Sequence, residues 1–306
     1  MSGPARPKMS HRIEDAALRA ALFLLGPLGW RGTQRLGAAA GSLAYRIVRK
    51  RRDVTAANIS RAFPEKSGAE VDALVRETYR SWGRTFFEFA RFGAMGPGEV
   101  RRLVRIDNCG ILDEVLAEGK GAVLFTGHFG NFDLFGAAVV ARGYPLSVLV
   151  QRQSNRIVDE RMRRYRERMG ARVIYRGPNA REIVRALREG RLVAIVGDQD
   201  AREAGVFVDF LGAPASTPKG PALFARRYGA PIIFCAGERQ EDGTHVCRFE
   251  GPIRPDLAAD EETEVMRLTS DLAGRLETAV RLRPDHYFWM HRRWKTKPPA
   301  AEGAAS

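Results

Sequence analysis

Short apolar runs alternate with longer amphipathic segments through the middle of the chain. Because buried strands are short apolar runs and the helices that cover them are amphipathic, this pattern predicts alternating strands and helices. The predicted strands are Arg101–Asn108, "GAVLFTG", "LSVLVQ", "RVIYRG", "LVAIVGDQD" and "PIIFCAGER". The predicted helices between them are "NFDLFGAAVVARG", 155–169, 180–189 and "GPALFARRYG". We therefore expect an α/β fold with a mixed, largely parallel central sheet flanked by helices.

The regions on either side of this alternation also carry periodic patterns. Residues 13–62 predict two helices that end in a basic stretch, and Glu262–Leu282 predicts a long helix. Ser67 and Glu70 have the spacing of a capping box at the start of a further helix. The segment "THVCRFEG" alternates between apolar and polar residues, as an edge strand does.

The N-terminal region contains two apolar stretches, and neither is long enough to span a membrane. Ala16–Trp30 is interrupted by Arg19 and Pro27, and the stretch Leu36–Tyr45 is shorter and less apolar. A spanning helix needs about 20 consecutive apolar residues. The basic run Arg49–Arg52 favours a helix that lies at the headgroup level of an anionic membrane. A core helix of a soluble domain is the alternative.

Composition adds a strong positive charge. The chain of 306 residues has a formal net charge of +14, and its 44% of hydrophobic residues is enough for a packed core. The excess of basic residues predicts an anionic partner, either nucleic acid, a membrane surface, or an acidic protein or substrate. Aromatic residues lie among cations at 285–295, which fits base stacking or a membrane interface.

The three cysteines have no metal-binding spacing, so we expect them to be structural and expect neither metal nor cofactor.

The segment "GHFGNFDLFG" places a titratable ring directly after a predicted strand. His128 follows the apolar run Ala122–Phe125, where ligands of α/β proteins bind. Gly127 and Gly130 let the backbone turn and let a substrate approach. If the turn folds the chain back, Asp133 accepts the proton of one imidazole nitrogen and leaves the other as a general base. This pair suits direct acyl transfer to a hydroxyl, and a purely structural hydrogen bond is the alternative.

Further polar residues follow the neighbouring predicted strands. Because parallel strands end at the same edge of a sheet, we expect these side chains to converge near His128. Amide groups at the helix start near Gly130 and Asn131 would face developing negative charge. The other candidates, for which loop caps are the alternative, are Arg152, Asn155, Arg176, Asp198, Gln199 and Asp200. In the turn-rich segment 205–220, the candidates for an acyl channel or for the ordinary core are Phe207, Val208 and Phe210.

Five pieces of the sequence, in order over roughly residues 15–297, resemble the bacterial lipid A biosynthesis late acyltransferases. "NISRAFPE" (58–65) is similar to the early Asn…Phe-Pro segment of that family. "TGHFGNFD" resembles its HX4D motif, matched by His128 and Asp133. "GDQD" (197–200) and 205–220 resemble its central blocks, and "YFWMHRRWKTKP" (287–298) resembles its closing signature.

The resemblance implies a fold like that of glycerolipid acyltransferases and an enzyme on the cytoplasmic face of the cell inner membrane. Such an enzyme moves a fatty acyl chain from acyl-carrier protein to a hydroxyl of a lipid A precursor, without a metal or cofactor. His128 would be the base and Asp133 its orienting acid. With Gly130, Asn131 and Arg176 from the strand ends, the residues expected to contact substrates are Arg152, Asp198, Gln199, His291 and Arg292. An acidic carrier, a phosphorylated glycolipid and an anionic membrane all agree with the positive charge.

The resemblance also divides the chain into three parts. We expect an N-terminal membrane-associating helical segment (1–62), an acyltransferase catalytic domain (63–297) and a disordered tail (298–306). Asp133 stands where many members carry Glu, and relatives of the family acylate mannosylated phosphoinositides or use acyl-CoA, so acceptor and donor stay open. The alternatives of another class are a non-catalytic lipid-binding protein and a nucleic-acid-binding module. We expect no nucleic acid, because the charges are dispersed and no recognised nucleic-acid motif is present.

Overall fold

The computed structural model describes residues 28–177 and 180–299. A seven-stranded sheet lies at its centre, and two further strands form a separate hairpin. The strands of the sheet are β1 (Val104–Asp107), β2 (Ala122–Thr126), β3 (Leu146–Val150), β4 (Arg172–Tyr175), β5 (Leu192–Val196), β8 (Ile232–Arg239) and β9 (His245–Ile253), and the hairpin consists of β6 (Val206–Phe210) and β7 (Ala213–Thr217). Their order across the sheet is β1-β9-β8-β2-β5-β3-β4.

The direction of the strands confirms the predicted sheet. The five neighbours β8, β2, β5, β3 and β4 run parallel to one another. Strand β9 runs antiparallel to β8, and β1 runs parallel to β9. The prediction of an edge strand for "THVCRFEG" is wrong, because β1 pairs along the outer side of β9 and makes it an interior strand.

Helices cover the sheet and lead into it from the N-terminal side. In the described residues they are α1 (Trp30–Ile47), α2 (Arg49–Ala62), α3 (Gly68–Arg91), α4 (Pro97–Leu103), α5 (Gly110–Ala117), α6 (Phe132–Ala141), α7 (Arg156–Arg168), α8 (Ala180–Arg188), α9 (Gly220–Tyr228) and α10 (Glu261–Leu282). The predicted capping box is present at the start of α3, where the Ser67 hydroxyl accepts from the Glu70 N–H and the Ser67 N–H donates to the Glu70 carboxylate.

The two faces of the sheet support separate apolar layers. Because side chains alternate along a strand, the consecutive β2 residues Val123 and Leu124 belong to opposite layers. Val123 packs in the layer that contains Leu187 of α8, and Leu124 packs in the layer that contains Leu134 of α6. The carboxyl ends of β2, β5 and β3 therefore lie between two layers of helices.

Helices α1 and α3 cross in close contact through glycine. A Cβ atom on Gly37 would lie 2.6 Å from the carbonyl oxygen of Gly83, so a larger residue does not fit there. The opposite face of α1 is exposed and carries the apolar side chains Leu36, Leu43 and Ile47. This crossing holds α1 against α3 while one apolar face of α1 stays uncovered.

The structure covers only part of the predicted N-terminal anchor. Residues 16–27 of the stretch Ala16–Trp30 lie outside the described residues, as do residues 300–306 of the predicted tail. The second apolar stretch, Leu36–Tyr45, is part of α1. No helix within the two described ranges is both long and apolar enough to cross a membrane.

Candidate active site

Two parallel neighbours in the sheet bring an imidazole and a carboxylate together. Strands β2 and β5 pair with Thr126 opposite Val196. His128 and Asp198 each follow two residues later, so the register sets them side by side at the carboxyl edge of the sheet. The Nδ1 atom of His128 lies 2.6 Å from Oδ1 of Asp198. Asp198 is only 3% exposed, whereas His128 lines a cavity.

The surroundings of His128 make its ring more basic than a free imidazole. Burial opposes the charged ring, but the hydrogen-bonded Asp198 and the charge of Asp133 outweigh burial, and the pKa of His128 is raised. Burial acts in the opposite direction on Asp198, yet the neighbouring ring holds the pKa of that carboxyl below its ordinary value. An ionised Asp198 can only accept a hydrogen bond. The proton of the His128 imidazole therefore stays on Nδ1, and Nε2 is left as the basic nitrogen. Nε2 lies 3.4 Å from the side-chain nitrogen of Gln199.

Asp133 does not accept the proton of the imidazole, which corrects the prediction from the HX4D spacing. It is the second residue of α6, and its carboxylate accepts two hydrogen bonds from Arg166 of α7, at 2.7 Å and 3.1 Å. Both side chains line the same cavity as His128. Burial lowers the pKa of Arg166, but Asp133 outweighs burial and raises this pKa, so the guanidinium stays charged. The start of α6 directs this carboxylate toward α7, and the imidazole takes its partner from the neighbouring strand.

The loop that carries His128 is fixed by the segment after α10. The Gly130 N–H donates to the carbonyl of His286, and the Phe288 N–H donates to the carbonyl of His128, both at 3.0 Å. The Phe288 ring lies beside the imidazole, with the ring centres 6.1 Å apart. These backbone bonds hold the imidazole from both sides of the loop.

The aromatic and basic segment 285–295 is largely internal, so its buried rings are not available for base stacking or for contact with a membrane interface. Arg293 is 2% exposed and donates to the carbonyl of Ser216 and the hydroxyl of Thr217. The buried rings of the segment are Tyr287, Trp289 and Trp294. Its cavity-lining members are His291, Arg292 and Lys295.

A buried polar network lies behind the loop. The Glu88 carboxylate of α3 accepts two hydrogen bonds from Arg239, at 2.7 Å and 3.0 Å. It also accepts from the side-chain amides of Gln34 at 2.7 Å and Asn131 at 2.8 Å. Burial opposes the charge of Glu88, but Arg239 and His245 hold the pKa well below its ordinary value. The network therefore ties the ionised Glu88 to Asn131, whose Oδ1 caps α6.

Gly130 and Asn131 are placed differently from the prediction that they contact substrate. Neither residue lines the cavity. Gly130 has φ +60°, and a Cβ atom there would collide with the carbonyl of Gly237 on β8. Asn131 is 1% exposed, and both ends of its amide are committed within the protein. Asp198, which was also expected to contact substrate, is absent from the cavity wall because it lies behind His128.

The cavity beside His128 has a volume of about 1160 Å³ and a cationic mouth. The predicted residues on its wall are Arg152, Arg176, Gln199, Asp200, His291 and Arg292. The Asp200 N–H donates to Nε2 of His291, and burial lowers the pKa of this ring, which keeps it neutral. Asn155 is not on the wall and caps α7 instead. The cations on the wall that sequence reasoning missed are Arg51, Arg166, Arg202, Lys219 and Lys295.

The inner part of the cavity is an apolar chamber between the sheet and two helices. Leu124, Ala194 and Val148 lie side by side on β2, β5 and β3, since the register pairs both Leu124 and Val148 with Ala194. The helix residues that complete the apolar chamber are Phe132, Gly136 and Val139 of α6 and Met162 of α7, with Met169 directly after α7. Ala194 and Val148 are only half-buried although β5 and β3 are interior strands. An open apolar row of this kind is typical of a ligand pocket rather than a packed core.

The segment 205–220 does not supply Phe207, Val208 or Phe210 to an acyl channel, although its last residues, 218–220, line the cavity. It contains the hairpin β6–β7, and Val208 and Phe210 are buried in the core on the opposite face of the sheet from Leu124. Phe207 is also absent from the cavity wall. The alternating pattern of these residues therefore reflects a hairpin packed on the core.

The described residues contain no group of three or more His, Cys, Asp or Glu side chains placed to bind a metal ion. The cysteines are free thiols, and Cys235 and Cys247 are buried on β8 and β9 with their sulfur atoms 3.2 Å apart. Burial raises the pKa of the Cys247 thiol well above its ordinary value, so this thiol is not a nucleophile near neutral pH.

The site therefore combines a basic imidazole at the carboxyl edge of the sheet, cations on the cavity wall and an apolar chamber. Such a site is suited to proton transfer next to an apolar ligand. The family of bacterial lipid A biosynthesis acyltransferases matches residues 8–296, and the chain belongs to this family. It is an acyltransferase.

Individual relatives share about a quarter of their residues with the chain. The lipid A biosynthesis palmitoleoyltransferase of Escherichia coli (strain K12) is 25% identical over 86% of this chain and 85% of the relative. The lauroyltransferase of the same strain is 26% identical over 90% of each chain. The phosphatidylinositol mannoside acyltransferase of Mycobacterium tuberculosis (strain CDC 1551 / Oshkosh) is 29% identical over 78% of this chain and 75% of the relative.

Proposed function

We propose that the enzyme transfers a fatty acyl chain from acyl-carrier protein to a hydroxyl of a lipid A precursor, with His128 as the general base. The observation that carries this proposal is the His128–Asp198 pair at the entrance of the apolar chamber. An acyl chain inside the chamber would leave its thioester carbonyl near Nε2 of His128. The two Escherichia coli relatives, which are lipid A biosynthesis enzymes, support this acceptor.

In the proposed reaction, His128 first takes a proton from the acceptor hydroxyl and later gives it to the leaving thiolate. Nε2 of His128 takes the proton of the acceptor hydroxyl while the oxygen attacks the thioester carbonyl, and Nδ1–H stays bonded to Asp198. A C–O bond forms, the tetrahedral intermediate collapses, and the C–S bond breaks. The proton then passes from Nε2 to the leaving thiolate, which gives an ester, a free carrier thiol and a neutral imidazole. Base assistance of this kind contributes about 10²–10⁴-fold to a rate.

We assign Asp133 to the positioning of Arg166 rather than of the imidazole. The bidentate contact fixes a guanidinium that is 14% exposed on the wall of the cavity. A fixed guanidinium is suited to bind a phosphate or a developing oxyanion, because its donors match two acceptor oxygens at once. The HX4D spacing would then place a base and an ion pair on one cavity wall.

The cationic mouth is proposed to bind phosphate groups of the two substrates. Both the prosthetic arm of an acyl carrier and a lipid A precursor carry phosphate. The side chains available for these contacts are Arg152, Arg176, Arg202, Lys219, Arg292 and Lys295. Among the described charged residues on the wall, eight are cations and three are acids, namely Asp133, Asp159 and Asp200. The surplus of positive charge favours an anionic head over a neutral one.

A phosphatidylinositol mannoside is the second candidate acceptor. The relative with that activity is 29% identical, slightly more than the lipid A relatives. Both acceptors present hydroxyls and phosphate next to acyl chains, and the cavity wall fits this shared chemistry. An assay with each acceptor separates the two candidates.

We also propose that the enzyme works at the cytoplasmic face of the inner membrane. The apolar side chains Leu36, Leu43 and Ile47 are exposed along one face of α1. Basic residues lie near them on α1 and at the start of α2, among them Arg46 and Arg49. Exposed apolar side chains combined with cations are typical of a protein that lies on an anionic membrane.

Transfer by the purified full-length chain is the direct test. The protein is incubated with acyl-carrier protein or coenzyme A loaded with labelled acyl chains, and with each acceptor in turn. We expect ester formation by the wild type and a loss of about 10²–10⁴-fold in His128→Ala. Unchanged turnover in His128→Ala would remove the base assignment. Mass spectrometry of membrane lipids from a strain that lacks the protein identifies the acceptor independently.

A further inference from the structure

Gly136 occupies an unfavourable place for a glycine. It lies in the middle of α6, where the flexible backbone of glycine disfavours the helix. It lines the apolar chamber and is partly exposed to it. Phe132, one turn earlier on α6, lines the same chamber, and its ring centre lies 5.3 Å from that of His128. Gly136 therefore lies about 6 Å farther along the helix axis than the residue that touches the base.

Protein packing does not require a glycine at this position. At Gly37 and Gly83, in the α1–α3 crossing, an added Cβ would collide with backbone atoms of the opposite helix. At Gly136 the nearest atom to an added Cβ is Cδ2 of Leu146, at 3.5 Å, which is an ordinary contact. Its φ is not positive, unlike that of Gly130. Neither steric conflict nor backbone conformation explains the missing side chain.

The apolar chamber offers the remaining explanation. The open row Leu124, Ala194 and Val148 forms the sheet side of the chamber. A side chain longer than methyl at position 136 would project from α6 into the space that faces this row. Glycine thus keeps open the part of the chamber that lies beyond the base.

We propose that Gly136 sets the length of the acyl chain that the enzyme accepts, an inference that rests on the proposed acyl transfer. The bare backbone at this position lets methylenes pass between α6 and the sheet. Alanine narrows the passage, and leucine closes it. One methylene more or less in an apolar pocket changes specificity by about 10- to 200-fold.

The test measures specificity rather than activity alone. The kcat/KM of the full-length enzyme is measured with acyl donors that differ only in the number of methylenes. Two donors are compared, namely the longest acyl donor that the wild type uses efficiently and a shorter one. We expect the ratio of their kcat/KM values, longer over shorter, to fall in Gly136→Ala. In Gly136→Leu we expect it to fall by about 10- to 200-fold. The matched controls are Gly274→Ala and Gly274→Leu, because Gly274 is inside α10, exposed and free of contacts within 4 Å of an added Cβ.

A second measurement does not depend on turnover. Binding of free fatty acids of the same lengths is followed by calorimetry, with thermal unfolding to show that each variant is folded. A lower length limit in Gly136→Leu, together with unchanged limits in the Gly274 variants, supports the inference. The inference is overturned if wild type and Gly136→Leu bind fatty acids up to the same length and have the same kcat/KM ratios between acyl donors. That result would leave the proposed acyl transfer intact. If the wild type transfers no acyl chain, the proposed function fails, and the fatty-acid length limits alone decide the role of Gly136.

Discussion

The contact between His128 and Asp198 determines which carboxylate supports the base. Asp198→Asn keeps the size of the side chain but removes the charge that holds the proton on Nδ1. We expect kcat to fall by about 10²–10⁴-fold, because the ring loses its tautomer and part of its basicity. Asp133→Asn leaves this contact in place and releases Arg166, so we expect mainly a higher KM. Steady-state kinetics of both variants check the assignment, and a loss of kcat confined to Asp133→Asn would contradict it.

The raised pKa of His128 predicts the pH dependence of transfer. The base must be neutral, so kcat/KM is expected to fall as the pH decreases through a pKa above the ordinary value of 6.5. Removal of the neighbouring charge in Asp198→Asn lowers the pKa of the ring, and the acidic limb should move to lower pH. A pH profile of kcat/KM for the two proteins measures this shift. An acidic limb at the same pH in both would show that another group controls the rate.

At this scale the sequence predicts the position of His128 at the end of a strand but not the carboxylate that contacts it. His128 was found because it follows an apolar strand between glycines, which is a local signal. The HX4D spacing predicts Asp133 as the partner because it is five residues away, whereas Asp198 is 70 residues away and adjacent only through the β2–β5 register. The strand-end pattern predicts that Asp198 lies near His128, but chain order does not give the register of β2 with β5, which makes Asp198 the partner of the imidazole.

Among the elements, α3 supports the active-site loop through the fully buried Glu88. Glu88→Gln is expected to lower the free energy of unfolding by about 3–5 kcal/mol, because it leaves the guanidinium of Arg239 buried without its counter-charge. The matched control is Glu77→Gln on the same helix, because the Glu77 side chain is 43% exposed and each of its ion pairs, with Arg80 and Arg84, is worth at most about 1 kcal/mol. Urea unfolding monitored by circular dichroism compares the two variants. An equal decrease in the free energy of unfolding in both variants would show that the buried network around Glu88 stabilises the fold no more than a surface ion pair.

The periodic patterns predicted most helices and strands. They did not predict features that depend on which strands lie next to each other in the sheet. Strands such as β2 and helices such as α7 follow from apolar runs and helical spacing alone. The interior position of β9 depends on β1, which is more than a hundred residues earlier in the chain. The apolar chamber was missed for the same reason, since its sheet row combines single residues from β2, β5 and β3.

On the scale of the whole molecule, some of the basic residues are buried in the fold and others line the cavity. Arg239 and Arg293 are buried and hold the fold together, and composition alone does not separate them from surface cations. The cations on the cavity wall, such as Arg152 and Arg292, face the cavity instead. The misassigned segment 285–295 illustrates the difference, because its rings pack inside while two of its cations reach the cavity.

We expect the proposed membrane binding to depend on the remaining surface charge together with the exposed face of α1. We expect the full-length protein to bind anionic vesicles more strongly than neutral ones, and salt to weaken this binding. Leu43 and Ile47 are 57% and 66% exposed, so replacing both with Ser removes apolar surface that folding does not use. If these side chains enter the bilayer, the partition coefficient should fall by at least about tenfold, since burying one such side chain is worth about 1.5–3 kcal/mol. Leu257→Ser is the control, because Leu257 is similarly exposed at 56% but lies in the loop before α10. Vesicle sedimentation measures all three proteins, and equal losses in the control and the double variant would assign membrane contact to a surface other than α1.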